Sequence, residues 1–600
     1  MNKDKLFSTD ALMNSLWQWL VRDYRALLDD PEFMAEEEAL LFNKPALRQL
    51  ETGSYYLSPY LYFKCRYQME SLFKRYIFKS DLYNDDELEK MTNQKFVETQ
   101  SRVGKLSTPT YRAFLVLQKA RSYAKEILGR YDIEEHYQSC RFGKRASVGV
   151  PRRECYLDSR LSSPLSGSHA HIKWFKNYLN SDPQLESILC ELQNSAVPQY
   201  SLCEKLALTN VPKSYKAKRG IMPNTTIGGF YSYGLGLMIQ KRLKAFGLDL
   251  RRMQEKHRRL VRKYSRSRSH VTADLASASD SFTWMLLNYV IPREWLNCLN
   301  FGRIRKADIN GADIHLSSFM TMGIGFTFQV QTLVFYCLLK SIQALSKVPG
   351  LISVYGDDLI YPARMHHLVV QIFTDLGFQI NNEKTFVKES FRESCGADYY
   401  CGYDVRPFQP KGTASMLPRK EYLVLLYKTI NGLQRRWPEE AVPQTRRYLL
   451  SEILRVSDCI LQVPPSFPDY SGIHVDRPRS EYLLPWAQVT RREDDKFSLS
   501  FAFLKMLPKD RFVEHQAPYL WDKLRSAQNP EELWEFWAVD KHLLYGENVS
   551  LLRWIKAKYQ PKSYRSRITG KRLRKLVAVQ AQALGDFQIV CQTGTTCVWD

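Results

Sequence analysis

The sequence of 600 residues contains twelve cysteines, yet it has no C-x-x-C pair and no His/Cys cluster at zinc spacing. This pattern excludes the common zinc modules and favours free thiols in a reducing cytosol. The N-terminus lacks the uninterrupted apolar core of a signal peptide. Charges interrupt it, and Leu12, Leu16, Leu20 and Leu27 recur on one side of a predicted amphipathic helix. There is no internal repeat.

A long apolar run is present only once, from Leu316 to Leu339, and its 24 uncharged residues could span a bilayer. Serines stand near its start, and it contains Gly323, Gly325 and two glutamines. These residues predict a glycine-rich loop that leads into a buried helix, and no membrane span.

Acidic residues are scarce relative to basic ones, since 86 Lys+Arg against 63 Asp+Glu give a net charge of +23. Such an excess indicates a polyanionic partner. Residues 256–270 hold seven Lys/Arg and no acid, and residues 548–585 are also free of acid. Neither run shows a clear apolar face at helical spacing, so nucleic acid is favoured over anionic lipid or a merely solvated face.

The second acid-free stretch includes a basic run at 556–576, in which Tyr559 and Tyr564 lie among the cations. Cations with interspersed aromatic rings suit phosphate contact combined with base stacking. The predicted RNA contacts in this run are Arg565, Arg567, Lys571 and Arg572.

Three regions follow from the coarse pattern. Residues 1–204 are mostly helical and include a long, Ser/Gly/Arg-rich loop at 140–171 that looks functional. Residues 205–410 alternate short strands, helices and glycine turns. Residues 411–600 are predicted to be helical and basic, with an interruption by five prolines at 463–486.

A pair of adjacent aspartates interrupts a strand-forming stretch, VYGDDLIYP, from Val354 to Pro362. Gly-Asp is a hairpin turn signal, and Pro362 removes a ladder donor at the end of the second arm. We therefore predict a β-hairpin with Asp357 and Asp358 at its tip, where their repulsion raises a carboxyl pKa. A surface turn is the simpler explanation, and a pair of ligands for a hard cation such as Mg²⁺ is the sharper one.

Two more stretches carry suitable polar groups. Residues 270–275 have strand character, so Asp274 would stand at a strand end, before a turn and a helix that Ser279 or Asp280 could cap. Residues 317–329 combine glycines, which let a backbone approach a ligand, with hydroxyls that can bond a sugar or phosphate. Taken singly, a capping aspartate and a packing glycine explain these stretches equally well.

The order and spacing of these stretches match a known family. Asp274 lies 49 residues before Gly323, which lies 34 residues before Asp357. D-x5-D at Asp274 and Asp280, G-x3-T at Gly323 and Thr327, and Y-G-D-D at 355–358 resemble the palm domain of RNA-dependent RNA polymerases. The stretches VPKSYKAKR (211–219), GFQINNEKTF (377–386) and FRESCGADYYCGYDVRPF (391–408) resemble the catalytic replicase subunit of positive-strand RNA bacteriophages, the leviviruses.

The resemblance implies an enzyme, an RNA-directed RNA polymerase that copies a phage genome in the cytoplasm of the infected bacterium. It implies an α+β, right-hand fold with fingers, a palm of antiparallel sheet and helices, and a helical thumb. Fingers would fall in 1–204, fingers and palm in 205–410, and the thumb in 411–600. Asp274, Asp357 and Asp358 would hold two Mg²⁺ ions, for which Mn²⁺ could substitute, and Lys384 would protonate pyrophosphate.

Substrate and partner roles follow from the same resemblance. Lys213, Lys216 and Arg219 would clamp the incoming ribonucleoside triphosphate. Asp280 would sense the ribose, with Gly323 and the Ser318 and Thr327 hydroxyls beside it. RNA template and product, host elongation factors Tu and Ts and a small-subunit ribosomal protein would be partners, with no membrane. One departure is Gln331, which stands where many viral RNA polymerases carry Asn.

Two other classes of protein fit the sequence less well. A reverse transcriptase would place a bulky aromatic gate shortly after the first aspartate, and residues 276–280 (ASASD) are small and polar. A non-catalytic RNA-binding protein would use the basic runs, but it gives no reason for carboxylates at this spacing in so basic a chain.

Overall fold

The structure is a computed structural model. It describes residues 6–34, 59–76, 84–143, 145–150, 157–411, 414–457, 460–463, 465 and 468–475, together with strand backbone at 489–491, 497–506, 577–584 and 587–595. Helices and strands alternate through most of this part of the chain, so the α+β class is confirmed at the level of mixed helix and sheet.

The helices are α1 (Thr9–Leu28), α2 (Pro59–Ser71), α3 (Asp85–Gly104), α4 (Tyr111–Leu128), α5 (Ile133–Ser139), α6 (Leu157–Ser162), α7 (His169–Leu179), α8 (Pro183–Leu192), α9 (Thr226–Ala245), α10 (Leu250–Ser267), α11 (Trp284–Val290), α12 (Arg293–Phe301), α13 (Thr327–Ser346), α14 (His366–Asp375), α15 (Arg419–Gln434) and α16 (Pro443–Ser457).

The strands are β1 (Leu6–Ser8), β2 (Leu165–Gly167), β3 (Tyr200–Leu202), β4 (Lys205–Ala207), β5 (Thr209–Ser214), β6 (Ala217–Ile221), β7 (His270–Ala273), β8 (Leu275–Ala276), β9 (Lys306–Ile309), β10 (Ala312–His315), β11 (Ser353–Tyr355), β12 (Asp358–Pro362), β13 (Gln379–Ile380), β14 (Phe391–Ser394), β15 (Ala397–Tyr400), β16 (Tyr403–Asp404), β17 (Met416–Pro418), β18 (Gln462–Val463), β19 (Ile473–His474), β20 (Val489–Arg491), β21 (Phe497–Met506), β22 (Val577–Leu584) and β23 (Phe587–Thr595).

A three-stranded antiparallel sheet in the order β11-β12-β7 lies at the centre of the molecule. A large apolar core packs on it, with side chains from α4, α9, α11, α12, α13 and α14. The side chains of α13 are buried along most of its length, and an irregular loop precedes it. The predicted glycine-rich loop and buried helix are therefore confirmed. Within the part of the chain that the structure describes, no helix is long and apolar enough to cross a membrane.

The N-terminal helix packs against residues more than 400 positions later in the chain. As predicted, α1 is amphipathic, and Leu12, Leu16 and Leu20 are buried. They share a core with α2, α15 and α16. The Asp23 carboxylate accepts hydrogen bonds from the amides of Gln444 and Thr445, at 3.0 and 2.8 Å, and so caps the start of α16.

Strand β1 adds to the same unit, because it pairs antiparallel with β17. Residues 6–34 and 59–76 thus belong with 416–475 by packing, whereas the sequence pattern assigned them to one region with residues up to 204. A local pattern cannot reveal such a long-range pairing, and the region boundaries at 204 and 410 stay predictions.

Three expectations about local structure differ from the observed elements. The stretch 140–171 contains α6, β2 and the start of α7, and is not one long loop. Beyond α16, the strands β20, β21, β22 and β23 form a four-stranded antiparallel sheet in the order β20-β21-β23-β22, so the described part of this region is not wholly helical. The basic stretch 256–270 does have a buried side, since it forms most of α10 and buries His257, Val261 and Tyr264.

Candidate active site

The two adjacent aspartates lie at a two-residue hairpin turn, as predicted. Tyr355 pairs with Asp358, so Gly356 and Asp357 form the turn and Asp358 begins β12. Gly356 has φ +62°, and a Cβ there would lie 2.5 Å from the Phe328 ring. Its amide donates to Thr332 Oγ1 on α13 at 2.9 Å. Glycine is therefore required both by the backbone conformation and by the close packing of α13 under the turn.

The third aspartate stands at the end of the neighbouring strand. Leu359 pairs with Ala273, so Asp274 follows β7 at the same end of the sheet as the hairpin turn. Asn381 Nδ2 donates to Asp274 Oδ2 at 2.8 Å, and Lys384 Nζ lies 3.6 Å from the same oxygen. Both contacts fall on Oδ2, and Oδ1 takes part in neither.

The charges of neighbouring aspartates raise the pKa values of the two hairpin carboxyls. Burial and the charge of Asp274 raise the pKa of Asp357, although Arg219 and Lys384 oppose this shift. Burial, followed by the charge of Asp357, raises the pKa of Asp358 to about 7. The Cys395 amide, which donates to Asp358 Oδ2 at 3.2 Å, partly offsets that rise. The carboxylates are thus close enough to repel, which is the condition that a bound cation would relieve.

Cations from two other segments face this cluster. Burial lowers the pKa of Lys384, but Asp274, Glu393 and Asp358 outweigh it, so the net pKa is raised and the ammonium stays protonated. Partial desolvation, together with the nearby charges of Lys384 and Arg219, lowers the pKa of Lys213. The structure therefore brings Lys213, Arg219 and Lys384 together around the three aspartates.

The basic stretch 211–219 lies in the β5–β6 hairpin, and ion pairs to α3 fix one face of this hairpin. The buried Lys218 ammonium lies 2.8 Å from Asp85 and 3.0 Å from Glu89 on α3. Because successive strand residues point to opposite faces, Arg219 is directed away from α3. Lys216 lies in the exposed hairpin turn, with its Nζ 5.3 Å from the centre of the Tyr215 ring, and not on the strands.

The glycine-rich loop holds the basic hairpin near the sheet. A Cβ on Gly323, where φ is +135°, would lie 1.8 Å from the Met222 carbonyl oxygen just after β6. Thr327 begins α13 and donates to the Thr321 carbonyl at 2.9 Å. The fully buried Ser318 exchanges two hydrogen bonds of 3.0 Å with the Gln100 side chain. These contacts give Gly323, Thr327 and Ser318 packing roles, and their roles towards substrate stay predictions.

Asp280 lies in a short 3-10 turn at Ser279–Ser281, six residues beyond Asp274 along the chain. The expectation that Ser279 or Asp280 caps the following helix is wrong, because the Thr283 hydroxyl accepts the capping hydrogen bond from Leu286 at 3.1 Å. Burial raises the Asp280 pKa to about 7, and a hydrogen bond from Ser279 opposes the shift. Helix capping therefore does not explain Asp280.

Among the described residues, no three His, Cys, Asp or Glu side chains are close enough to hold a metal ion by themselves. Mg²⁺ commonly uses one or two carboxylates and completes its shell with water and substrate phosphates. Asp274, Asp357 and Asp358 fit that open kind of site, and their metal-ligand role stays a prediction. The predicted RNA contacts Arg565, Arg567, Lys571 and Arg572 lie outside the described residues.

Three groups of this site were missed in the sequence. Asn381 faces Asp274 because β13 pairs with β8, and its backbone amide also donates to the Asp274 carbonyl at 2.9 Å. The Cys395 amide reaches Asp358 from the β14–β15 turn. Arg392 is fully buried and donates to the carbonyls of His270, Val387, Glu389 and Phe391.

The comparison with protein families agrees with this site. The family described as RNA replicase, beta-chain, matches residues 40–443, which include the three aspartates, the β5–β6 hairpin and Lys384. The chain belongs to this family.

Two relatives illustrate the similarity. The RNA-directed RNA polymerase beta chain of Enterobacteria phage fr is 38% identical over 201 residues, which are 34% of this chain and 37% of that one. The RNA-directed RNA polymerase subunit beta of Qbeta virus (strain MX1) is 34% identical over 255 residues, 41% of this chain and 42% of that one. The aligned part thus spans about two fifths of these relatives.

A solved structure, that of the BmCPV RNA-dependent RNA polymerase at elongation state, has a TM-score of 0.34 and 14% identity to this chain. The match covers 64% of this chain and 39% of the other.

The raised pKa of Asp358 gives a stability prediction. Between about pH 4 and pH 7 the folded protein keeps a proton that the unfolded chain releases, so the free energy of unfolding falls as pH rises through this window. The side chain introduced by Asp358→Asn cannot ionise. In metal-free buffer at pH 8, the free energy of unfolding of this variant should therefore exceed that of wild type by on the order of 1 to 3 kcal/mol. Urea denaturation at pH 8 and pH 5 measures the difference, which should shrink at pH 5. A pH-independent difference would contradict the assignment.

The Asn381 contact predicts a residue that positions Asp274. Asn381→Ala removes the donor to Oδ2, and loss of such a supporting hydrogen bond typically weakens metal binding or activity by about 10- to 100-fold. We expect weaker Mn²⁺ binding to the protein without nucleotide, measured by electron paramagnetic resonance. Asn382→Ala is the matched control and should bind Mn²⁺ as wild type does. Equal affinity of all three proteins would exclude the positioning role.

Proposed function

We propose that this chain is an RNA-dependent RNA polymerase, which replicates a positive-strand RNA phage genome from ribonucleoside triphosphates. One observation carries the proposal: Asp274, Asp357 and Asp358 converge at one end of the central sheet, and Lys213, Arg219 and Lys384 surround them. Crowded carboxylates facing several cations suit a substrate that brings metal ions and a polyphosphate together. Membership of the replicase beta-chain family supports the same assignment.

In the proposed reaction, the 3′-hydroxyl of the growing RNA attacks the α-phosphorus of the incoming triphosphate. The new O–P bond forms as the bond to the β-phosphate oxygen breaks, the hydroxyl loses its proton, and pyrophosphate leaves. Mg²⁺ held by Asp274, Asp357 and Asp358 would lower the hydroxyl pKa and neutralise the charge on the phosphates.

The cations have separate parts in this reaction. Lys213 and Arg219 hold the triphosphate from the β5–β6 hairpin. Lys384, which stays protonated beside Asp274, donates a proton to the departing pyrophosphate. Asp280 accepts a hydrogen bond from the ribose 2′-hydroxyl. A carboxyl at this position would favour ribonucleotides, since no bulky side chain stands in residues 276–280 to exclude the 2′-hydroxyl.

We also assign the right-hand layout from the convergence of these residues and from membership of the family. The β11-β12-β7 sheet with its helices is the palm, the β5–β6 hairpin belongs to the fingers, and α15 and α16 belong to the thumb. Host elongation factors Tu and Ts and a small-subunit ribosomal protein are proposed partners, by the family resemblance, in the cytoplasm of the infected bacterium.

The catalytic assignment predicts a separation of turnover from binding. Asp357→Asn and Asp358→Asn keep the side-chain shape but supply a neutral, poorer metal ligand, so labelled ribonucleotide incorporation on an RNA template should fall by about 10³-fold or more. Affinity for the RNA should stay near that of wild type. Asp313→Asn, on the β9–β10 hairpin, is the matched control and should keep its activity. Turnover retained by both active-site variants would contradict the assignment of these aspartates as metal ligands.

Sugar selection gives a second prediction. Asp280→Ala should narrow the preference for ribo- over deoxyribonucleotides by about 10-fold, since one hydrogen bond to a charged group contributes about 1.5 kcal/mol. The measurement is the ratio of kcat/KM values for the two nucleotides in single-nucleotide incorporation. Ser279→Ala, which leaves the carboxyl in place, is the control. An unchanged ratio would show that Asp280 does not recognise the sugar. The polymerase would then select ribonucleotides by a different residue.

A further inference from the structure

The solvent-facing side of α10 carries an ordered row of cations. Arg252, Lys256, Arg259, Lys263 and Arg266 follow one another at intervals of 4, 3, 4 and 3 residues. Side chains at such intervals lie on one side of a helix. The row extends over 14 residues, which corresponds to about 21 Å along the helix axis. We call these five residues the α10 cation row.

The other side of α10 is fixed to the central sheet, so the row has a defined place. His257 is fully buried and bridges Ser394 Oγ at 2.8 Å and Ser353 Oγ at 3.0 Å. Near the end of the helix, the Tyr264 ring stacks on His270, with centroids 3.8 Å apart. Burial and the charge of Lys256 lower the His257 pKa to about 3, so this buried group adds no charge of its own.

The row begins near the catalytic carboxylates and leads away from them. Gln254 Nε2 donates to the Cys395 carbonyl at 3.4 Å, and the Cys395 amide donates to Asp358. The start of α10 is thus two hydrogen bonds away from an active-site aspartate. Tyr264 stacks on the first residue of β7, which is the end of that strand opposite to Asp274. The row therefore runs along the sheet from the catalytic end to the far end.

Little of this charge is neutralised within the molecule. Among the described residues, Arg259 is the member of the row that forms an ion pair, with Glu255 on the same helix. That pair is exposed, and exposed i,i+4 pairs contribute only a few tenths of a kcal/mol. The other four cations form no ion pair with a described residue, although Lys263 Nζ also lies 5.7 Å from the centre of the Tyr264 ring. A regular row of about one cation per 5 Å suits a partner with regularly repeated negative charges.

We propose that the α10 cation row binds the phosphate backbone of the RNA strand that extends out of the catalytic site. The proposal rests on the proposed function and adds a contact outside the reacting centre. Backbone contacts of this kind are independent of sequence, so they would hold any stretch of a long genome as it moves past. An acidic protein surface would also be attracted to the row, but its negative charges would not repeat at an even spacing over this length.

The test is the affinity of a variant with all five cations changed to glutamine: Arg252→Gln, Lys256→Gln, Arg259→Gln, Lys263→Gln and Arg266→Gln. Fluorescence anisotropy at several salt concentrations would compare an RNA just long enough to reach the carboxylates with one about ten nucleotides longer. For the longer RNA, the slope of log affinity against log salt should flatten by up to about 3.5, at about 0.7 for each lost contact. The short RNA should bind as tightly as it binds to wild type.

The matched control removes the same number of exposed charges elsewhere, with Arg112→Gln, Lys119→Gln, Lys125→Gln, Arg130→Gln and Lys244→Gln. Equal loss in both variants would show a bulk charge effect and overturn the proposal, and so would an unchanged slope. If the five-cation variant kept its affinity for RNA but lost its binding to an acidic protein, the row would instead be assigned to a protein partner. Circular dichroism and thermal unfolding confirm that both variants fold. Incorporation on the short template tests the proposed polymerase activity separately, because the row does not contact that RNA.

Discussion

The repulsion among three crowded carboxylates is the constraint on which this site depends. Asp274 raises the pKa of Asp357, and Asp357 raises that of Asp358, so the folded chain must hold together groups that would otherwise separate. Fixed donors oppose the repulsion from several directions: Arg219, Lys384, and the amides of Asn381 and Cys395. None of them removes it completely, and in the proposed function the remaining negative charge would attract divalent cations.

These donors come from segments far apart in the sequence, so the site depends on packing between elements. Lys218 fixes the β5–β6 hairpin on α3, and Gly323 lets the loop before α13 reach the end of that hairpin. Arg392 holds the segment around 387–391 to β7 through four carbonyl contacts. Since Phe386 pairs with Thr272 in both directions, Lys384 lies a fixed distance from the sheet. Rigid supports of this kind keep charged groups in place before any substrate binds.

What could be predicted from the sequence is what local patterns encode. The hairpin at Val354–Pro362, the strand before Asp274 and the buried helix α13 all follow from short-range propensity and turn signals. The cap at Thr283 was missed because four candidate cap residues lie within the five positions 279–283, and only tertiary packing decides among them. Asn381 was missed because its role depends on the pairing of β13 with β8, two strands of two residues each. The sheet at 489–595 was missed for a similar reason, as its longest strands pair across about 90 residues.

The packing of the N-terminal helix against elements more than 400 residues later has a consequence for the synthesis of the protein. Thr9 is hydrogen-bonded to the carbonyl of Ser415, 406 residues later, and the apolar side of α1 is fully covered only when α15 and α16 join α2 against it. At a translation rate of about 5–20 residues per second, the ribosome needs roughly 20–80 s to supply those partners. During that interval the nascent chain exposes Leu12, Leu16 and Leu20, and the central sheet can form before the N-terminal helix docks. The helix that is synthesised first therefore completes its packing late, and until then its apolar side chains are open to capture by chaperones or to aggregation.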